Sequence, residues 1–183
     1  MMNMKRISPR LQKVFIAAQE EGRKCGSSEL MPEHILLALL KSADGLGYIM
    51  LQDLRINVLT LQLAVEQAVV PRPGAASLSE LPPSRRLRTV MDIAALESNS
   101  LRNDYIGTEH FMIASSREEN SVASNFFARA ELNINDIREA ARVVQFHFHS
   151  SAQMNGDTLG STLQRLVDDA KKETISQFAF GSA

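Results

Sequence analysis

The sequence predicts an all-α protein, built as two tandem four-helix repeats in one pseudo-twofold bundle and followed by a C-terminal amphipathic helix. Three observations predict it. The chain matches itself without a gap at an offset of 76 residues. Apolar residues recur at helical spacing, and no run alternates over the length of a strand. Ser and Asn stand where helix caps belong, at equivalent points of both copies.

The self-match centres on Glu33-His34 over Glu109-His110. Going outward, Ser8 falls on Ser84, Arg10 on Arg86, Leu11 on Leu87, Val14 on Val90, Ala18 on Ala94, Glu21 on Glu97, Ala38 on Ala114, Asn57 on Asn133 and Ala64 on Ala140. That is about 11 identities over about 60 positions, where composition alone gives roughly 4. Apolar class holds at Ile35/Phe111, Leu36/Met112, Leu37/Ile113, Met50/Phe126, Ile56/Leu132, Val58/Ile134 and Leu61/Ile137. The repeats run over 7–70 and 83–146. Between them 71–82 reads as linker from its start, Pro71-Arg72-Pro73-Gly74.

Each element follows from its residues. Leu11, Val14, Phe15 and Ala18 make the stripe of a first helix capped by Ser8, with Pro9 in the first turn and Gly26 after its end. Cys25 continues that stripe and reads as a small buried hydrophobe. Leu87, Val90, Met91 and Ala94 repeat the stripe behind Ser84. A second helix starts at Pro32 or Glu33 and runs to about Lys41, and its counterpart starts after Thr108, which reads as a cap. Gly107 is expected to supply a turn conformation that Met31 reaches differently. Ser115-Ser116 replace Leu39-Leu40, so that end of the second copy is expected to pack less well. Third helices cover about 46–54 and 121–130, and fourth helices begin near Val58 and Ile134 behind Asn57 and Asn133. After a loop at 150–156, Leu159, Leu163, Leu166, Val167 and Ala170 form a short amphipathic helix within a tail of 150–183. Residues 1–149 read as one domain, because a four-helix unit of this size is marginal alone.

Composition narrows the function. The 183 residues are 44% hydrophobic and 22% charged, which fits a globular core and excludes wholesale disorder. No stretch approaches the apolar length of a membrane span, and no membrane partner is expected. A net charge of -1, with 2 Tyr and no Trp, argues against a nucleic-acid surface. The single cysteine fits a reducing compartment, and the first residues lack the apolar run of a signal peptide, so a cytoplasmic location is expected.

Gln19-Glu20-Glu21, the run Glu33-His34-Ile35-Leu36-Leu37-Ala38-Leu39-Leu40, and Tyr105-Ile106-Gly107-Thr108-Glu109-His110 resemble the Clp amino-terminal (Clp R) repeat domain. This domain stands at the front of AAA+ unfoldases of the ClpA, ClpB and ClpC type. The resemblance spans both repeats. It implies a non-catalytic module that receives adaptor and substrate proteins for a Clp ATPase or peptidase. It also implies a phosphoarginine site in each repeat, built on the Glu of the Gly-Thr-Glu-His motif. The matching residues are Glu33 and Glu109, with Thr108 in the motif and Ser8 and Ser84 at the nearby hydroxyl position. Copy two keeps the motif; copy one has Met31-Pro32 in place of Gly-Thr.

Plainer roles stand beside these. Glu33 and Glu109 in a first helical turn favour the helix dipole without any ligand. Neighbouring Glu and His on a helix do not face one another, so His34 and His110 read as packing or capping groups. Phe146-His147-Phe148-His149 lacks a third metal ligand, and no metal or other cofactor is expected. No GxxxxGK[ST] phosphate loop and no GxSxG elbow occurs in the sequence, so no enzymatic activity is expected. Other readings are a helical scaffold or oligomerisation protein that stabilises a Clp assembly, the front of a longer Clp ATPase, and a small hydrolase using a Glu-His pair. The stretch after 150 shows no start of an ATPase module, and a free-standing protein is expected.

Overall fold

A computed structural model describes residues 7–69 and 79–149. Among the described residues there are eight helices: α1 (Pro9–Lys24), α2 (Pro32–Ser42), α3 (Leu46–Asp53), α4 (Val58–Ala68), α5 (Arg85–Ser100), α6 (Thr108–Arg117), α7 (Val122–Arg129) and α8 (134–149). The all-α prediction holds: these residues include no strand, only two isolated bridges. The chain divides into a unit of residues 1–144 and a second of 145–183, whose described part is 145–149, the end of α8. The amphipathic helix expected over 159–170 lies outside the described residues.

The predicted caps form. Ser8 Oγ accepts the Leu11 amide at 3.2 Å and Ser84 Oγ the Leu87 amide at 3.1 Å. Asn57 Oδ1 accepts the Thr60 amide at 3.0 Å, and Asn133 Oδ1 accepts the Asn135 amide at 2.8 Å. Each cap satisfies a backbone donor that the helix itself cannot. Past the end of α1, Gly26 adopts φ 68; the equivalent residue of the second copy, Arg102, takes φ 57 despite its side chain.

Leu11, Val14 and Ala18 of α1 and Leu87, Val90 and Ala94 of α5 are buried against the helices that follow them. Those helices, α2 and α6, are buried on nearly all sides, from Ile35 to Leu40 and from Thr108 to Ser115. The α2 run from Ile35 to Leu40 is apolar all round, as suits an interior helix, whereas α6 also buries polar side chains; each fully buried large aliphatic side chain contributes about 1.5–3 kcal/mol. Ser115 does not loosen its end as expected. It is buried, its hydroxyl donates to the Phe111 carbonyl at 2.9 Å, and its own carbonyl accepts the Ser121 hydroxyl at 3.0 Å. Hydroxyls that find backbone partners replace apolar packing there.

The repeats are joined crosswise. Ile7 bridges Ile106, and Leu30 bridges Pro83. The Ser8 amide donates to the Ile106 carbonyl and the Ser84 amide to the Leu30 carbonyl, both at 3.0 Å. All four residues map onto one another at the sequence offset, so the approximate twofold extends to single hydrogen bonds. Leu81, inside the segment that reads as linker, is buried beneath Gly22. The Gln19 side chain holds its backbone from both sides, donating at 3.0 Å and accepting at 2.8 Å. No single helix among the described residues is long and apolar enough to cross a membrane.

Candidate functional site

The crosswise joint decides which predicted site residues meet. The segment before α2 pairs with the segment that opens α5, and the segment before α6 with the one that opens α1. Glu33 therefore stands by the α5 start, behind Ser84, where Arg86 reaches it. The Glu109 end of α6 is tied to Ser8. Each candidate site takes its carboxylate from one repeat and its hydroxyl-capped helix start from the other. Neither serine hydroxyl is idle, because both cap their own helices.

The two histidines are capping groups. His34 Nδ1 accepts the Met31 amide at 3.0 Å, and His110 Nδ1 accepts the Gly107 amide at 2.8 Å. The third helical residue thus reaches back over each helix start, a capping box with His in place of Glu. The helix begins one residue earlier than Thr108 as a cap would require: Gly107 is the cap residue and Thr108 the first helical one. With Nδ1 accepting, the His34 proton sits on Nε2, which donates to Cys25 Sγ at 3.3 Å. Cys25 is half-buried at the α1 terminus and lines a cavity, so it is not the core hydrophobe expected from the stripe.

Burial holds both imidazoles below the usual histidine value of 6.5, against the pull of Glu33 and Glu21 on His34 and of Glu109 and Glu97 on His110. The unfolded chain then binds more protons than the folded one below about pH 6.5, so stability rises with pH through that window. Melting temperature should be flat above pH 6.5 and fall as pH drops from 6.5 toward 5. A melting temperature that holds or rises over that interval would contradict the neutral capping role. Glu21 and Glu97 are held below the usual 4.5, so their losses come at lower pH.

In copy one, the Glu33 carboxylate holds a guanidinium. Arg86 donates through Nη2 to Glu33 Oε1 at 2.7 Å and through Nη1 to Oε2 at 3.4 Å, while its Nε donates to Glu118 Oε1 at 2.5 Å. These carboxylates raise the Arg86 pKa, the Glu118 bond most of all. Beside them opens a cavity of 270 Å³ lined by Cys25, Ser27, Met31, Glu33, His34, Val69 and Arg86.

In copy two, Glu109 is buried. Its carboxylate folds back over Gly107, where a Cβ would overlap it. Gly107 has φ -97 and Met31 φ -101, both extended. The expected special turn is absent: Gly107 gives room to a carboxylate, not a backbone angle. Met31 has a Cβ at that place, and Glu33 points instead to Arg86. The Thr108 hydroxyl accepts the Gly47 amide of α3 at 3.0 Å. A Cβ on Gly47 would lie 2.7 Å from the Thr108 carbonyl oxygen, so this closeness requires glycine. The residue equivalent to Gly47 in α7 is Ala123, and Pro32 replaces Thr108. Copy one has neither the space nor the hydroxyl for such a clasp.

In the sequence Arg86 and Glu97 stand out only as repeat identities with Arg10 and Glu21, and Glu118 does not stand out at all. Glu97 is 2% exposed and accepts from Arg117 at 2.6 Å and from Arg138 at 2.7 and 2.9 Å. Its counterpart Glu21 pairs with Lys41, which stands at the same offset from Arg117. That repeated charge match was the available signal. Among the described residues no three His, Cys, Asp or Glu side chains are grouped to hold a metal.

Known proteins are similar to this chain in sequence and in fold. Residues 6–130 match the model of the Clp repeat (R) N-terminal domain, well over half of the chain. The ATP-dependent Clp protease ATP-binding subunit ClpC of Staphylococcus saprophyticus is 30% identical over 169 residues, covering 90% of this chain and 20% of that subunit. The chain thus spans about a fifth of the length of the curated relatives it matches. The N-terminal domain of the ClpV1 ATPase from E. coli superposes with a TM-score of 0.65 at 14% identity, over 77% of this chain and 86% of that one. The ClpV N-domain in complex with a VipB peptide superposes at 0.62, also at 14% identity, over 77% and 88%. At that identity the two structures speak for the fold, and the family model with the ClpC match speaks for descent. The chain belongs to the Clp repeat (R) N-terminal domain family.

Proposed function

We propose that the protein is a non-catalytic binding module of a Clp-type ATP-dependent protease or chaperone system. It receives adaptor or substrate segments and takes guanidinium-bearing groups, phosphoarginine above all, at the helix starts that carry Glu33 and Glu109. The observation that carries this reading is the state of Glu33: a first-turn carboxylate that already grips a guanidinium in two-pronged fashion beside a 270 Å³ cavity. Fork-on-carboxylate pairing is the geometry that tells a guanidinium from an ammonium. Helix starts facing each carboxylate from the other repeat offer a positive dipole end to the phosphoryl half of the same ligand. A ClpV N-domain, similar in fold, has been seen with a VipB peptide, which supports peptide docking on this scaffold.

Calorimetric titration with phosphoarginine, arginine and inorganic phosphate tests the reading. Phosphoarginine should bind, and each half alone should bind far more weakly. Glu109→Ala should weaken binding roughly 10- to 150-fold, the worth of one charge-assisted bond. Glu33→Ala should matter less, because Arg86 already occupies that carboxylate. Phosphoarginine binding that survives unchanged in the double mutant, or is absent both from the wild type and from a variant freed of Arg86, removes the guanidinium reading. The pure chain should hydrolyse neither ATP nor peptides; hydrolysis abolished by a point mutation in this chain would overturn the non-catalytic reading.

A further inference from the structure

We propose that Arg86 is a resident occupant of the copy-one site: its guanidinium holds on Glu33 the place of an incoming guanidinium and keeps that half closed to such ligands. This deepens the function proposed above and rests on it. The two opening helices carry an arginine at the same position, Arg10 in α1 and Arg86 in α5, yet the two arginines go to different partners. Arg10 pairs with Asp44. Arg86 crosses to Glu33 and is anchored behind by Glu118. Local sequence explains the split. The residue equivalent to Asp44 is Asn120, which offers no charge, and the residue equivalent to Glu118 is Ser42. Each arginine follows the carboxylate its own surroundings supply.

The anchor matters as much as the plug. Glu118 Oε1 takes the Arg86 Nε–H, and Glu118 Oε2 is buried with no hydrogen-bond partner. A half-buried carboxylate with one oxygen out of water is favoured by a cation held beside it. Arg86 therefore stays bound to Glu118 whether or not Glu33 is engaged, and an incoming guanidinium competes only for the Glu33 half. The Cβ of Met31 keeps Glu33 turned outward toward that competition, whereas Gly107 lets Glu109 fold away. The two repeats are thus ligand seats of different default state, one plugged by an arginine and one closed over a glycine.

The test isolates copy one in an Glu109→Ala background and titrates phosphoarginine. Glu109→Ala alone should bind weakly. Adding Arg86→Ala should tighten binding about 10- to 100-fold, and adding Glu33→Gln to that pair should abolish the gain. Arg86→Ala leaves Glu118 without its cation, so Arg86→Lys provides a second variant: a lysine serves Glu118 but cannot fork onto Glu33, and an intermediate gain is expected. Melting curves verify that each variant is folded. A gain absent from both Arg86 variants overturns the plug. If wild type binds through Glu109 in that case, the guanidinium reading stands alone; if no variant binds at all, both fall.

Discussion

Glu97→Ala is expected to destabilise the protein by roughly 3 kcal/mol, the largest effect of any single charge removal here. The carboxylate is 2% exposed and holds three guanidinium hydrogen bonds, one from Arg117 on α6 and two from Arg138 on α8. Those bonds, the Arg138 ones foremost, hold its pKa below the usual carboxylate range. Removing it leaves two cations facing a buried gap. Both arginines keep some access to water, so the cost belongs at the lower end of the range for broken buried pairs. Urea denaturation at pH 7.5 measures it, and a loss below about 1 kcal/mol would place Glu97 among ordinary surface pairs. Glu21→Ala is the internal comparison. Glu21 meets only the partly exposed amines of Lys41 and Lys24, and its removal should cost about 1 kcal/mol or less.

Gly47→Ala should destabilise by about 2 kcal/mol through overpacking. The added Cβ would lie 2.7 Å from the Thr108 carbonyl oxygen and 3.2 Å from the Glu109 nitrogen, so α3 must move off α6 and release the Thr108 hydroxyl. Helix propensity works in the opposite direction, favouring alanine over glycine by up to about 1 kcal/mol. The sign of the measured change therefore decides between packing and propensity. Lower melting temperature is expected; a stabilised Gly47→Ala would show that α3 rests on Thr108 less closely than described. Ala123→Gly, at the equivalent place in α7, should also destabilise, because it loses helix propensity and a buried methyl group together.

The architecture was legible because the repeat is written in residues that act locally. Ser8, Ser84, Asn57 and Asn133 cap the helices they open, and apolar spacing alone marks the faces of α1 and α5. The site was less legible because it is assembled across the repeats. Nothing within either copy says that the α2 start meets the opening of α5, so Ser84 and Arg86, not Ser8, stand beside Glu33. Thr108 reads as a cap from its residue type, yet His110 two positions later does the capping and the threonine hydroxyl serves α3. Gly107 reads as a turn glycine, yet its backbone is extended and its small size matters only because Glu109 folds over it. In each case a distant neighbour decides what the residue does, and residue type alone is silent about neighbours.

In the proposed function a ligand seat at each helix start is built from both repeats at once. Heteronuclear NMR on the labelled chain, titrated with a phosphoarginine-bearing peptide, tests it most directly. Amides of Gly107, Thr108 and Glu109 in the second repeat should shift together with those of Ser8, Arg10 and Leu11 in the first, on one binding curve. Shifts confined to one repeat, or centred instead on the exposed Leu59 and Leu63 of α4, would contradict it.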